Sequence, residues 1–341
     1  MLKFLTMKRI VFFLLLSTSV FAFAQRTETV KLNHNIKDKF SRTKSLIVKD
    51  KRADKNIGTI TYKGEAVEIE FVGNDPKKDI ENWFAEDNKA RGNNDIVILI
   101  EEIKVNEFKE TQLSKAKIKI SSFINRNGKY YFINRYNNTL DFNSKVTPNI
   151  PKTISAAISS VLSSLINDSY SHITISIPIE ESELDNYEAA VSKNIKYLNV
   201  PVLTDGVYTD FRSFYLQKPK DDYYVDKNKK GIVVGIKNKD NLTVSGGELF
   251  GYVENGKAYR LTPVGFLEMQ KDDKGFYIFS SRFELFPPKS NNGVMIGAMM
   301  GGMVGALIGA AVDSSGSGRR NQNLGLSHIY IDSLTGEYIF K

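Results

Sequence analysis

KAKIKISSFINRNGKYYFIN, residues 115–134, is the stretch on which the fold class turns. Two runs rich in β-branched and aromatic residues, 115–124 and 129–134, flank Asn127-Gly128. Asn-Gly between such runs signals a hairpin, because a tight I′ turn needs positive φ at both central residues. Working upstream, residues 95–108 hold the strongest strand pattern, at 96–100. Before it, Asp75-Pro76 places an N-cap and a first-turn proline, which predicts a helix ending at Gly92 and burying Ile80, Trp83 and Phe84. Residues 45–49, 57–62 and 66–72 read as further strands. Working downstream, 136–142 adds a strand, and Pro151 opens a helix to about Asp168. That helix has an apolar stripe of Ile154, Ile158, Val161, Leu162, Leu165 and Ile166, with Ser155, Ser159, Ser160, Ser163 and Ser164 on the other face. The serine face lacks the Lys and Arg of a membrane-surface helix, so packing against the sheet is expected.

Residues 205–341 are β-rich. Residues 249–253 and 257–261 form a hairpin around Asn255-Gly256, and 266–270, 276–286, 327–332 and 337–340 read as strands, the last two turned at Thr335-Gly336. The expectation is an α+β protein: an N-terminal sheet with two packed helices, then an antiparallel β-rich module into which residues 293–312 are inserted as a glycine-striped helix. A chain of 341 residues favours two domains at about 100–200 residues each. We divide it into a signal peptide (1–24), an N-terminal segment (25–43), an α+β domain (44–175), a linker (176–204) and a β-rich domain (205–341).

Two segments depart from the average composition. Residues 1–24 carry a basic start (Lys3, Lys8, Arg9), an apolar run at 10–16 and the small-x-small sequence Ala22-Phe23-Ala24, which predicts an export signal cleaved before Gln25. Its removal takes away three cations and no anion, so the formal charge falls from +8 to +5. The chain has no Cys, which excludes disulfides, thiolate metal sites, a Cys nucleophile and a lipid-modified Cys at the new N-terminus. The second segment, residues 293–312, reads GVMIGAMMGGMVGALIGAAV and has no charge. Gly293, Gly297, Gly301, Gly305 and Gly309 recur every four residues, so a helix here carries one smooth glycine stripe. Each glycine weakens a helix in water by about 1 kcal/mol relative to Ala, whereas in lipid such a stripe lets helices approach closely. Membrane or oligomer packing, a helix buried in the domain, and a Gly-rich loop are the three readings. A topological condition applies. If 327–340 completes the sheet that precedes the segment, both of its ends lie on one side, whereas a single span separates them by about 30 Å.

The glycine stripe resembles the glycine-zipper regions of bacterial surface antigens and other membrane-associating envelope proteins. The run from Leu46 to Ile60, with Asp50-Lys51-Arg52 and Asn56-Ile57-Gly58, followed by the helix and the 95–100 strand, resembles YajG-type and transport-auxiliary envelope lipoproteins of Gram-negative bacteria. That resemblance implies an assembly or accessory role without enzymatic activity. The chain departs from it in lacking the lipidated Cys.

No motif for catalysis is found: neither H-E-x-x-H, nor G-x-S-x-G, nor a Walker loop. His34 is expected to be exposed and His172 to be structural, and His328 begins the last hairpin. Glu101 and Glu102 are adjacent on a strand and therefore expected on opposite faces. Glu180, Glu181, Glu183 and Asp185 read as a solvated face, since the spaced ligands and glycine of a Ca²⁺ loop are missing. No catalytic, cofactor-binding or metal-ligating residue is assigned. The pI of 9.2 does not imply nucleic acid, because the chain is read as exported and its basic residues are interleaved with Asp at 218–230. Three functions remain. One is a periplasmic or outer-membrane-associated envelope protein that contacts a membrane, an envelope component or its own copies through 293–312. The second is a soluble periplasmic binding module with that segment as a buried helix, and the third an enzyme with an unrecognised site.

Overall fold

The protein is described here from a computed structural model covering residues 26–89, 92–145, 147–171, 174–286 and 325–340. The predicted signal peptide, the glycine stripe and His172 lie outside these residues. The described chain is mixed α+β.

Strand β1 (Arg26–Thr29) pairs in parallel with β4 (Glu65–Glu70), which pairs antiparallel with β3 (Gly58–Tyr62), giving a three-stranded sheet. Residues 25–43 thus contribute a strand, together with buried Val30 and Ile36, where the sequence pattern marked only a polar segment. A five-stranded sheet follows the order β2 (Thr43–Asp50), β5 (Asn94–Phe108), β6 (Leu113–Arg126), β7 (Lys129–Asn143), β8 (Pro178–Ile179). The pair β2–β5 is parallel and the others are antiparallel. At the β6–β7 turn, Asn127 and Gly128 take φ of 53° and 79°, as the I′ turn requires. The two strands foreseen at 129–134 and 136–142 are one continuous β7, with an irregularity in its pairing at Ser122/Phe123 of β6.

Helix α1 (Pro76–Asp87) begins as foreseen, with the Asp75 side chain accepting from the Lys78 N–H at 3.1 Å. It ends earlier than Gly92, at Asn88. The Asn88 amide donates to the carbonyls of Phe84 and Ile36, and its Oδ1 accepts from the Asp38 N–H. Gly92 has a different task. A Cβ there would lie 2.2 Å from the Arg42 carbonyl, so the glycine permits two backbones to touch. Helix α2 (Ile150–Ser169) is capped by Asn149 and buries its whole apolar stripe, with Ile154, Ile158, Val161, Leu162, Leu165 and Ile166 all inaccessible. Ser155, Ser159 and Ser163 are buried too, because α2 touches the five-stranded sheet through β6 and β7 and the three-stranded sheet through β1, β3 and β4. Small side chains on the second face let the helix fit between two layers.

The seven-stranded antiparallel sheet runs β17 (Tyr338–Ile339), β16 (Ser327–Ile331), β15 (Gly275–Ser280), β14 (Gly265–Asp272), β13 (Lys257–Thr262), β12 (Gly251–Glu254), β9 (Gly206–Tyr208). A separate hairpin, β10 (Tyr223–Lys227) and β11 (Val233–Asn238), packs Val225, Val233 and Ile236 with Tyr252, Tyr259, Leu261 and Phe266 of the sheet. The strand expected at 276–286 stops at Ser280. Ser281 forms a capping box with Glu284 and turns the chain into the short helix α6 (Arg282–Leu285). Between β8 and β9, residues 176–204 hold α3 (Tyr187–Ser192) and α4 (Lys196–Asn199), and α5 (Phe211–Tyr215) follows β9. One apolar core runs from Val30 through Leu184, Tyr187 and Tyr197 to Phe340.

Candidate functional site

The described residues nearest to the glycine stripe form a neck at one end of the seven-stranded sheet. On the outgoing side, β15 ends at Ser280, whose hydroxyl donates to Glu284 at 2.8 Å and helps start α6. Arg282 then reaches across to β7. Its guanidinium donates to Asp141 Oδ2 at 2.9 Å and to the Thr139 carbonyl at 3.0 Å, and it lies 4.6 Å over the Phe340 ring. Leu285 and Phe286 are buried, with Phe286 edge-on to Tyr338 and Phe340.

On the returning side, Ser327 opens β16 in register with Ser280. The chain turns at Asp332, whose Oδ1 accepts from the Leu334 and Thr335 N–H groups, and Gly336 adopts φ 74° against the Phe211 ring. It closes on the same part of β7. The Phe340 N–H donates to Asn138 Oδ1 at 2.7 Å, the Thr139 N–H donates to the Phe340 carbonyl at 3.2 Å, and the Asn138 amide donates to the Tyr338 carbonyl at 2.9 Å. Both sides of the neck are therefore anchored on residues 138–141 of one strand, and the end of β15 lies beside the start of β16.

A buried ionic network lies behind this anchor. Arg135 is paired with Asp332, and its Nη1 lies 3.0 Å from Glu188. Glu188 also accepts from Lys119 at 2.5 Å, Lys119 pairs with Glu101 at 2.9 Å, and Glu101 accepts from Ser121, which shares a bond with Tyr187. Burial works against the Arg135 charge, but Asp332 and Tyr187 outweigh it and hold its pKa well above the ordinary value. Lys119 is raised and Glu188 lowered for the same reason: burial opposes each charge, and its partners overcome the opposition. Every charged member whose pKa is displaced is thus fixed in its charged form, and burial pushes the Tyr187 phenol up, so it stays neutral. Such a set of paired charges ties β6, β7, the connector and the C-terminal hairpin together.

Of the residues considered for chemistry, Glu101 and Glu102 pair with Lys119 and Lys117 respectively, two residues apart on β6. The strict alternation expected of neighbours fails there because the β5–β6 register shifts between Ile100 and Glu102. Glu180, Glu181 and Asp185 are exposed, and they pair with Lys129, Lys49 and Lys51, tying the connector to the sheet. His34 is exposed, and its carbonyl accepts from the Trp83 indole. His328 is exposed on β16, stacked 4.3 Å from Tyr277. Gly293, Gly297, Gly301, Gly305 and Gly309 lie outside the described residues. No group of three or more His, Cys, Asp or Glu suited to a metal ion occurs among the described residues. No helix among them is long and apolar enough to cross a membrane. A groove of about 590 Å³ between the β10–β11 hairpin and the sheet is lined by Tyr252, Tyr259, Leu261 and Phe266, and at its rim Lys227 and Glu254 bind each other at 2.6 Å.

The network was not visible in the sequence, since Arg135 and Asp332 are 197 residues apart and neither sits in a motif. The neck was foreshadowed only by the hairpin at 327–340. Comparisons of the chain with models of protein families, with curated proteins and with solved structures return no match.

Proposed function

We propose that this chain is a non-enzymatic, exported cell-envelope protein that associates with a membrane, or with copies of itself, through residues 293–312. The observation that carries the reading is the pairing of Ser280 with Ser327, reinforced by the anchoring of Arg282 and Phe340 to the same stretch of β7. The described residues on either side of 287–324 are thus held next to one another. A single crossing would separate the two ends by about 30 Å, so the geometry favours a re-entrant insertion or self-packing over a span. The uncharged run and its glycine stripe supply the chemistry for either.

The test compares the full mature chain with a variant in which a short Gly-Ser turn joins residues 286 and 325. Flotation with phospholipid vesicles and analytical sedimentation are the readouts. The full chain is expected to float or to self-associate, and the shortened chain to remain monomeric in the aqueous phase. A full chain that is monomeric and does not float would overturn the proposal.

A second reading, a soluble binding module that packs the segment as an internal helix, has one observation in its favour. Helix α2 already buries a stripe of small residues at Ser155, Ser159 and Ser163 between two layers. On that reading Gly301→Leu lowers the melting temperature of the full chain by several degrees. On the first reading it leaves melting unchanged and weakens association.

A further inference from the structure

We propose that the groove between the β10–β11 hairpin and the seven-stranded sheet binds an uncharged, largely apolar small molecule that carries one hydrogen-bonding oxygen. This site is independent of residues 293–312 and of the function proposed above. The sheet register builds its floor. Tyr252 of β12 lies opposite Tyr259 of β13, and Leu261 of β13 lies opposite Phe266 of β14. Alternation puts these four side chains on the face toward the hairpin, while their neighbours Val253 and Ala258 enter the main core. Tyr252 stacks on Tyr259 with ring centroids 4.6 Å apart, and Phe266 meets Tyr252 edge-on at 5.0 Å.

The hairpin closes over only part of this floor. Ile236 joins Val207, Leu249 and Tyr252 in a small buried core. Farther along β11 and its turn, Val234 and Ile232 line the same groove yet are 61% and 59% exposed. The space of about 590 Å³ lies within the ~300–1,000 Å³ of small-molecule sites.

Three features define the ligand. The floor and the hairpin wall are aliphatic and aromatic, so most of the ligand's surface is apolar. At the rim, Lys227 Nζ holds both carboxylate oxygens of Glu254, at 2.6 and 2.7 Å. Each charge there is answered by the other, and an ionised ligand would have to break the pair, which selects an uncharged one. The third feature is Tyr252, which lines the groove and is 4% exposed, and whose hydroxyl forms no hydrogen bond to a described residue. Burial above all, then the neighbouring Tyr259, Glu254 and Glu268, pushes its phenol up to about 12, so at neutral pH it keeps its proton and can donate it. A nearly buried donor without an acceptor is costly, and a carbonyl or hydroxyl oxygen on the ligand supplies the acceptor.

The experiment titrates the full mature chain with prodan, an uncharged naphthalene ketone whose emission moves to the blue in apolar surroundings. The anionic anilinonaphthalene sulfonate serves as the charged counterpart. Prodan is expected to bind saturably, with a blue shift, and more tightly than the anionic dye. Gly246→Phe fills the groove. A Cβ at Gly246 would lie 3.5 Å from the Leu261 side chain, an ordinary contact, so the variant should keep its melting temperature and bind prodan at least about tenfold more weakly. Val234→Asp, at an exposed position, should weaken prodan as well and decides the matter alone if Gly246→Phe melts early. Tyr252→Phe, which removes only the hydroxyl, should weaken prodan by about fivefold. Absence of saturable binding by the parent would overturn the proposal. So would prodan binding that Val234→Asp and a stably folded Gly246→Phe leave unchanged, because the probe then sits elsewhere. Equal affinity for the anionic dye, or full affinity in Tyr252→Phe, would overturn the ligand class.

Discussion

In the five-stranded sheet, β5 carries five consecutive buried residues, Ile96 to Ile100, whereas in the seven-stranded sheet β15 alternates buried Phe276, Ile278 and Ser280 with outward Tyr277 and Phe279. Consecutive burial requires cover on both faces. In the first sheet α2 packs on β6 and β7, and on the connector Tyr187 meets Phe123 edge-on at 5.1 Å, stacks on Phe132 and shares a hydrogen bond with Ser121. Among the described residues, the second sheet is covered on its core side and, on its outer face, by the β10–β11 hairpin over β12–β14. The first sheet is thus a scaffold whose residues answer to packing. The second alternates core-facing residues with the outward rings Tyr277 and Phe279, and its strands β15 and β16 border residues 287–324 in sequence.

The sharpest way to break this contrast is at the junction of the two sheets. Arg135→Met leaves Asp332 buried without its partner, and removing one member of a buried ion pair costs about 3–5 kcal/mol. Urea denaturation should show that loss. A cost below about 1 kcal/mol would mean that the network does not join the sheets.

Within the scaffold, Leu162→Ala removes a fully buried side chain from α2 and should cost about 2–5 kcal/mol by the same measurement. A small effect would show that the second layer over α2 is loosely packed.

The C-terminal hairpin should respond to pH. Burial pushes the Glu337 carboxyl from its ordinary 4.5 to about 8, with Asp332 and Asp168 adding to the rise and Arg260 opposing it. The folded state then binds the proton more tightly than the unfolded chain. This contribution to stability is complete below about pH 4.5 and is lost as the pH rises through 8. Glu337→Gln should flatten the profile in that window. An unchanged profile would show that the carboxyl is ionised and solvated.

The smallest effect is expected at Phe279. Phe279→Ser should alter stability by no more than about 0.5 kcal/mol, because the ring is half exposed. A loss comparable to that of Leu162→Ala would make the outer face of β15 part of the scaffold and dissolve the comparison.

Much of the fold was legible wherever the information was local. Asn127-Gly128 and Asn255-Gly256 specified hairpins, since both pairs adopt positive φ. Asp75 and the Ile154–Ile166 stripe specified helices, because a cap and a 3.6-residue period need no distant partner. Helix ends were less legible. α1 stops at Asn88 because of Asp38 and Ile36, about 50 residues away, and Gly92 serves a backbone contact with Arg42. The serine face of α2 carried no sign of a second layer, because one helix pattern cannot reveal one. Ser155 and Ser159 are buried, with hydroxyls that find no partner among the described residues.

By itself the sequence determined the mixed α+β class, the hairpin turns, the helix starts and the absence of cysteine chemistry, all of which follow from backbone preference or side-chain type. Only the tertiary structure decided that the C-terminal hairpin returns to β7, that Arg135 finds Asp332, and that both sides of the 287–324 segment meet at Ser280 and Ser327. These depend on which distant segments share a core, and burial and buried charge are properties of that shared interior, which a linear pattern does not contain.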